Sequence, residues 1–382
     1  MENIDKELLI ELSRVYGSLT NRVVEKLFTP SKRYYMRVNT LLITPGELID
    51  IFREKYGIKL YQDPFVDEAV YIIVQGPYNV PVVDKKIVVD KNAAESIVLG
   101  ANVYAPGVIN YDDFRKGEEV NIVAPNGKII ALAVTEKSSD ELKSIKKGVI
   151  AKTIKSLYKL PPIRDLEEYR AGLFYPQSLP AMLVSKIIKP KPREIIIDCC
   201  AAPGGKTTHL IQLSRGLAKI ISIDRSIQKV LKIVENIKRL RQPENIHFHV
   251  GDARYIDLYY PLLKADKAII DPPCSALGVR PKISIDKTFK DVINNSRYQI
   301  QFIKAVSRVL KHGGLLVYST CTITFLENEY IAKKALGYGL KTVEVQLPYA
   351  NKVYYGGIIA YRFDPLTNDI NGYFIVVFKK TS

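Results

Sequence analysis

Glu194-Ile-Ile-Ile-Asp-Cys-Cys-Ala-Ala-Pro-Gly-Gly-Lys-Thr207 is the stretch on which the reading of this 382-residue chain turns. Three consecutive isoleucines read as a strand buried on both faces, and Gly204-Gly205 hands the chain to a helix predicted over 206–214. At such a turn, backbone N–H groups and the helix dipole can meet an anionic group of a ligand. Two nucleotide-binding loops are excluded. A P-loop needs glycine where Cys200 stands, although Gly205-Lys206-Thr207 fits its end, and the dinucleotide pattern G-x-G-x-x-G is absent. A tight strand-to-helix turn without a ligand is the plain alternative.

Outward from this turn the pattern is strand, helix, strand at regular spacing. Strands are predicted at 194–198, 219–223, 246–250, 267–270, 315–319, 342–346 and 373–378, and helices at 206–214, 226–240, 289–311 and 327–336. Apolar strands alternating with helices imply an α/β, doubly wound sheet covered on both faces. The last of the seven strands follows a loop rather than a helix and is expected antiparallel. Ahead of this region, helical apolar spacing covers 5–28, a strand is predicted at 34–43 and a helix at 45–56. Short β-branched runs at 71–74, 86–89, 120–123, 129–134 and 148–154, separated by turns, read as a small β-barrel or sandwich. The chain therefore divides into an α+β segment (1–80), a barrel (81–158) and the α/β domain (159–382).

Ligands of doubly wound sheets bind at the carboxyl ends of the strands, so residues there carry weight. Asp224 ends the second strand, where an acid can bond both hydroxyls of a ribose, and Asp252 ends the third, placed to bond an adenine amino group. Either acid alone could be a helix cap. Together, and without a pyrophosphate fingerprint, they favour S-adenosylmethionine over a dinucleotide. The fourth and fifth strands end in Asp271-Pro-Pro-Cys274 and Ser319-Thr-Cys321-Thr322. Neighbouring parallel strands end side by side, so both sulfurs can face one pocket. Carbon 5 of cytosine is too weak a nucleophile to take a methyl group unaided. A thiolate adding at carbon 6 activates it, a base then removes the carbon 5 proton, and a carboxyl group near ring nitrogen 3 steadies the developing charge. A lone buried cysteine is ordinarily a small apolar core residue. Two of four cysteines at adjacent strand ends reverse that preference, while Cys199 keeps the core reading.

Lys and Arg number 56 against 40 Asp and Glu, a net charge of +16. Counted along the chain, the excess is −1 in residues 1–80, +3 in 81–160 and +14 in 161–382. Such a balance suits a polyanion, because cationic side chains release counterions from phosphates. A lysine-rich surface serving solubility is the bland alternative. Four cysteines, two of them adjacent, make no disulfide framework, and no C-x-x-C pair points to zinc, so no metal is expected. No apolar run reaches membrane-spanning length, and a soluble, cytoplasmic protein is expected.

D-x-C-A-A-P-G-G-K-T, D-P-P-C-S and S-T-C-T in this order resemble the NOL/NOP/Sun family of RNA 5-methylcytosine methyltransferases. Arg37-Val-Asn-Thr40, Tyr175-Pro-Gln-Ser-Leu-Pro180 and Gly372-Tyr-Phe374 extend the similarity. The resemblance implies a class I S-adenosylmethionine methyltransferase fold, with Cys321 as nucleophile and Cys274 as the thiol that assists release. It implies that Lys206 and Asp271 contact the target base. The cofactor site would be lined by Cys200, Ala201, Ala202, Pro203, Gly204, Gly205, Lys206, Asp224, Asp252 and Asp271. Residues 91–108 are similar to the PUA domain, a small RNA-binding barrel. A PUA domain in this position resembles the Sun-type members that methylate a cytosine at the base of the CCA end of tRNA. The partner implied is tRNA, gripped at its acceptor region by a single copy of the chain. An rRNA cytosine methyltransferase and a non-catalytic RNA-binding assembly factor are the rival readings, and the intact cysteine pair argues against the latter.

Overall fold

The computed structural model describes residues 4–243 and 245–381. Its largest sheet has nine strands among the described residues. The order across it is Ile246–Val250, Lys219–Asp224, Ile195–Cys199, Ala265–Ile270, Leu310–Thr320, Tyr373–Lys380, Ile358–Phe363 and Asn351–Tyr355. Leu340–Thr342 pairs separately with Tyr373–Lys380. The first five strands are parallel, and Tyr373–Lys380 enters antiparallel, as expected for a strand that follows a loop.

Successive side chains in a strand point to opposite faces, and here both faces are dry. Ile196, Ile220 and Ile269 pack against the helices Leu179–Ile188, Gly205–Ser214 and Ile227–Arg239 through Leu183, Leu210 and Ile233. Ile197, Ala268 and Ile270 meet Phe302, Ile303 and Ile331 of the helices Phe289–Val309 and Glu329–Ala335 on the other face. Continuous isoleucine runs are what a sheet covered on two sides requires.

Two strands exceed the expected seven. Asn351–Tyr355 and Ile358–Phe363 form a hairpin about Gly356-Gly357, whose φ values of 51° and 85° both lie in the left-handed region. Two-residue hairpin turns demand that conformation and glycine supplies it without strain. The expected strand 342–346 shortens to Leu340–Thr342. Val343 N still donates to Val377 O at 2.8 Å, but Val345 N turns to the Tyr361 hydroxyl at 2.6 Å, which takes the chain off the ladder.

A four-stranded sheet in the order Phe174–Pro176, Arg33–Val38, Ala69–Ile73, Tyr61–Gln62 packs beside the large one. Residues 71–74, expected with the barrel, belong here instead, with Tyr71 opposite Tyr35 and Ala69 opposite Arg37. A β-branched run states that a strand forms and says nothing about its partner. The strand predicted to reach residue 43 stops at Val38, because Asn39 turns the chain: its O accepts from Leu42 N and Ile43 N, and its Nδ2 donates to Leu240 O at 2.7 Å. The helix Pro45–Tyr56 starts as predicted, on a reciprocal cap between Thr44 and Glu47. The barrel has six strands among the described residues, ordered Val103–Tyr104, Val149–Ser156, Ile129–Thr135, Glu119–Val123, Lys86–Val89, Val108–Tyr111.

The N-terminal helices Lys6–Tyr16 and Thr20–Leu27 bear directly on the site. Leu8, Leu12, Val23 and Leu27 are fully buried against Leu277 and Ile323, which lie in the loops that follow Cys274 and Cys321. Glu11 accepts from Leu326 N at 2.7 Å, and Arg280 Nε donates to Lys26 O at 2.7 Å. These helices are a brace behind both cysteine loops. Leu12→Ala leaves a cavity at that brace, and its expected cost is about 2–5 kcal/mol of unfolding free energy, read as a lowered urea midpoint with an unchanged slope.

Candidate active site

The glycine turn is held in place from outside the large sheet. Arg37, fully buried, donates to Gln177 Oε1 at 2.8 Å, Gly205 O at 2.6 Å and Thr208 Oγ1 at 2.8 Å. Burial pulls its guanidinium down to about 9. Tyr175 lies so close to Gly205 that a Cβ there would sit 3.3 Å from its ring. The two upstream motifs, Arg37-Val-Asn-Thr40 and Tyr175-Pro-Gln-Ser-Leu-Pro180, thus meet at this turn. In the sequence only the family resemblance links them, and nothing in it says where they sit.

Beyond the turn, Cys200 to Pro203, Gly205 and Lys206 line a cavity of about 110 Å³, with Asp198 and Asp271 on its wall. Gly204 is buried at the helix start, with φ 102°. On the far side of Cys200, a narrow pocket is walled by Ile223, Pro273, Tyr298 and Phe302 and edged by Asp224 and Asp252. Asp224 is nearly buried, accepts from Ala202 N and Arg225 N at 3.1 and 2.8 Å, and faces Lys229 at 3.4 Å. A slot with apolar walls and a carboxylate at its edge suits a nucleoside: the walls take the base and the acid the ribose hydroxyls. The donor set therefore fits S-adenosylmethionine. Asp252 is already engaged, with Arg254 Nη2 at 2.6 Å and Nε at 3.0 Å, so it edges the pocket as half of an ion pair. Tyr298 and Phe302 carry no separate signal in the sequence, because they continue the apolar face of a long helix.

The four residues expected to do chemistry converge at the ends of the fourth and fifth parallel strands. Ile270 pairs with Tyr318, which sets Asp271 beside Ser319. Asp271 accepts from Lys206 Nζ through Oδ2, and from Ser319 Oγ at 3.2 Å and the Tyr373 hydroxyl at 3.4 Å through Oδ1. Burial alone would lower the Lys206 ammonium. The Asp271 carboxylate more than offsets this and holds it above the usual lysine range. Cys274 Sγ and Cys321 Sγ lie 3.4 Å apart. The Cys274 thiol is pushed well up, first by the neighbouring Cys321 sulfur and then by burial. Lys282 is within electrostatic reach of both sulfurs. Gly278 N donates to Cys321 O at 2.9 Å, and a Cβ at Gly278 would lie 2.0 Å from Gly372 O, so only glycine fits where the three loops cross. Cys199 is fully buried in the core, as read from the sequence.

This sheet order, the apolar-walled pocket beside its switch point and the strand-end acids define a class I S-adenosylmethionine-dependent methyltransferase. A model of the family described as 16S rRNA methyltransferase RsmB/F matches residues 185–379, and a PUA domain model matches residues 85–157. The chain is 37% identical over its whole length to the tRNA (cytosine(72)-C(5))-methyltransferase of Pyrococcus horikoshii, covering 98% of that protein. It is 29% identical to human tRNA (cytosine(72)-C(5))-methyltransferase NSUN6 over 80% of the chain and 72% of the relative. The crystal structure of NSun6 from Pyrococcus horikoshii with SFG, an S-adenosylmethionine analogue, superposes with a TM-score of 0.89, covering 99% of this chain and 98% of that one. The chain belongs to the RsmB/F (NOL/NOP/Sun) family of RNA methyltransferases and carries a PUA domain.

Asp198, on the cavity wall, yields a pH prediction. Burial pushes its carboxyl up to about 7, against the pull of Thr207 Oγ1 at 2.5 Å. An unfolded Asp releases its proton near about pH 4. Between these values the folded state binds more protons than the unfolded one, so this group makes stability fall as pH rises. Asp198→Asn removes that slope. Its stability relative to wild type is expected to rise between about pH 4 and pH 7 and level off above, read from urea midpoints across the range. A difference that is flat with pH refutes the assignment.

Proposed function

We propose that this chain transfers a methyl group from S-adenosylmethionine to carbon 5 of a cytosine in tRNA, in the acceptor stem next to the CCA end, through a covalent bond between Cys321 and the base. The observation that carries this reading is the pair of sulfurs 3.4 Å apart beside an Asp271–Lys206 ion pair at the ends of adjacent parallel strands. The names of the two relatives support carbon 5 of cytosine as the target and tRNA as the substrate class.

Two thiolates 3.4 Å apart repel, so the pair ionises one sulfur at a time. The Cys321 thiolate adds to carbon 6 of the cytosine, and the electron pair displaced from the 5,6 double bond makes carbon 5 nucleophilic. Asp271, with Lys206 against it, is the carboxyl group assigned to ring nitrogen 3, with a proton shared between the two as charge develops there during this addition. Bound S-adenosylmethionine supplies the methyl group as a sulfonium substituent; the residues that would hold it are Cys200–Lys206, Asp224, Asp252 and the walls Ile223, Tyr298 and Phe302. Once Cys321 is bonded to carbon it carries no charge, and the repulsion that kept Cys274 protonated is gone. Cys274 can then release its proton to water and, as a thiolate, take the carbon 5 proton, and the electrons of that C–H bond rebuild the double bond as the Cys321–carbon 6 bond breaks.

The three parts of the chain divide the task. Residues 159–382 do the chemistry, 81–158 read the end of the tRNA, and 1–80 hold the glycine turn and brace the cysteine loops. The target base has to leave its stack for carbon 6 to be reached, which costs least near the end of a stem. No helix among the described residues is long and apolar enough to cross a membrane. The protein acts on tRNA in the cytoplasm, as a single copy.

Cys321→Ala is expected to abolish transfer of labelled methyl groups to tRNA, and retained transfer refutes its role as nucleophile. Cys274→Ala is expected to accumulate a protein–RNA adduct that survives denaturing gels, because addition and methylation proceed while release stalls. Absence of the adduct, with normal turnover, removes Cys274 from the mechanism. Bisulfite sequencing of tRNA and rRNA after incubation with the enzyme tests the substrate: new 5-methylcytosine confined to rRNA overturns the tRNA reading.

A further inference from the structure

Behind the two thiols lies a buried carboxylate that the reaction above does not use. Glu327 is fully buried in the turn that follows Cys321, and four hydrogen-bond donors surround it. Its Oε1 accepts from Ser275 N at 2.8 Å and Gln299 Nε2 at 3.1 Å, and its Oε2 from Ser275 Oγ at 2.6 Å and Thr324 Oγ1 at 3.0 Å. Ser275 follows Cys274, and its Oγ also lies 2.5 Å from Thr322 Oγ1, which follows Cys321. Gln299 Nε2 reaches Pro273 O at 3.0 Å, on the other side of Cys274. One carboxylate therefore ties down the residues on both flanks of Cys274 and, through Ser275, the residue after Cys321.

We propose that Glu327 is a positioning residue, acting through Ser275: it clamps the Cys274 loop to the Cys321 loop and sets a fixed negative charge behind Cys274. The clamp holds the sulfurs 3.4 Å apart. The charge gives the two thiols unequal proton affinity, so that Cys274 is the better base for the release step. Both Oε1 donors are N–H groups, so Oε1 only accepts, and the Ser275 and Thr324 hydroxyls can both donate to Oε2, so four donors converge on the carboxylate. Burial raises the Glu327 pKa while the Ser275 hydrogen bonds pull it back. The groups facing Cys274 are Cys321, Glu327, Asp271 and, further off, Lys282 and Tyr318. Only Lys282 among them is cationic, and it faces Cys321 as well. The link to base strength rests on the methyl-transfer reading above, whereas the clamp itself does not.

Glu327→Gln separates charge from shape. The amide oxygen can accept from Ser275 N and Gln299, and the amide nitrogen can donate to the two hydroxyls, so the clamp survives without its charge. With Cys321→Ala as background, the midpoint pH for alkylation of Cys274 by iodoacetamide, followed by peptide mass spectrometry, is expected to fall by about one unit in Glu327→Gln. Ser275→Ala keeps the charge and the backbone N–H bond but removes the hydroxyl that links Glu327 Oε2 to Thr322 in the Cys321 loop; with both cysteines present, diamide-driven formation of the Cys274–Cys321 disulfide is expected to slow. S-adenosylmethionine affinity within about twofold of wild type shows that each variant is folded. In single turnover, Glu327→Gln is expected to accumulate the denaturation-resistant RNA adduct, as a weaker base would. An unchanged alkylation midpoint overturns the charge, and an unchanged disulfide rate overturns the clamp. Wild-type protein that forms no adduct and transfers no methyl group refutes the function instead, and leaves both thiol measurements valid.

Discussion

The parallel register between Ala265–Ile270 and Leu310–Thr320 is the constraint on which the site depends. Pairing Ile270 with Tyr318 brings two strand ends out of the sheet at the same height, about 5 Å apart. Asp271 and Ser319 are then neighbours, and the loops that follow have nowhere to run except across each other. Cys274 and Cys321, 47 positions apart in the chain, become adjacent for that reason. A shift by one residue would turn every side chain of one strand to the opposite face, which the two-sided core forbids. The hydrophobic packing of the sheet thus fixes the geometry of its polar edge.

Polar contacts refine what the register places. Asp271 is bonded by Lys206 from the glycine-turn helix, Ser319 from the neighbouring strand and Tyr373 from the antiparallel strand. Three separate elements orient one carboxylate, so its position is fixed by the protein itself. Burying the Lys206–Asp271 pair has a desolvation cost, and such a pair is poor evidence for stability. Its value lies in fixing a donor and an acceptor beside the thiols. The N-terminal helices extend the same logic outward, because Leu8 and Leu12 press on the loops that carry both sulfurs.

Much of this is legible in the sequence because it is local. The glycine turn, the isoleucine strands and the strand-end residues Asp224, Asp271, Cys274 and Cys321 each announce themselves within a few positions. Long-range pairing is less accessible. Residues 71–74 read as barrel yet join the strand Arg33–Val38, since a β-branched run says that a strand forms and not which partner it takes. The Gly356-Gly357 hairpin is absent from the sequence-based expectation although its turn signal is a strong one. Glu327 is invisible for another reason: an acid close to a helix start reads as an ordinary exposed helical residue, and only the fold reveals that it is buried against Ser275. Asp252 shows the converse, a strand-end acid at the edge of the pocket whose carboxylate already belongs to Arg254.

The charge distribution takes its meaning from this architecture. The +14 excess lies in residues 161–382, the half that carries the thiols, while residues 81–160 contribute only +3. A polyanion bound to both would find most of its phosphate neutralisation in the catalytic half. Electrostatic attraction is indifferent to sequence, so it can hold a stem near the pocket without choosing the nucleotide. Shape is the remaining variable, and the six-stranded barrel is anchored beside the cysteine loops. Ile283, in the loop beyond Cys274, packs into the barrel core, and Asn126 of the barrel donates to Ile283 O at 3.1 Å. That contact ties the barrel to the loop beyond Cys274, so the packing that orients the barrel also bears on the loop that carries one of the two sulfurs.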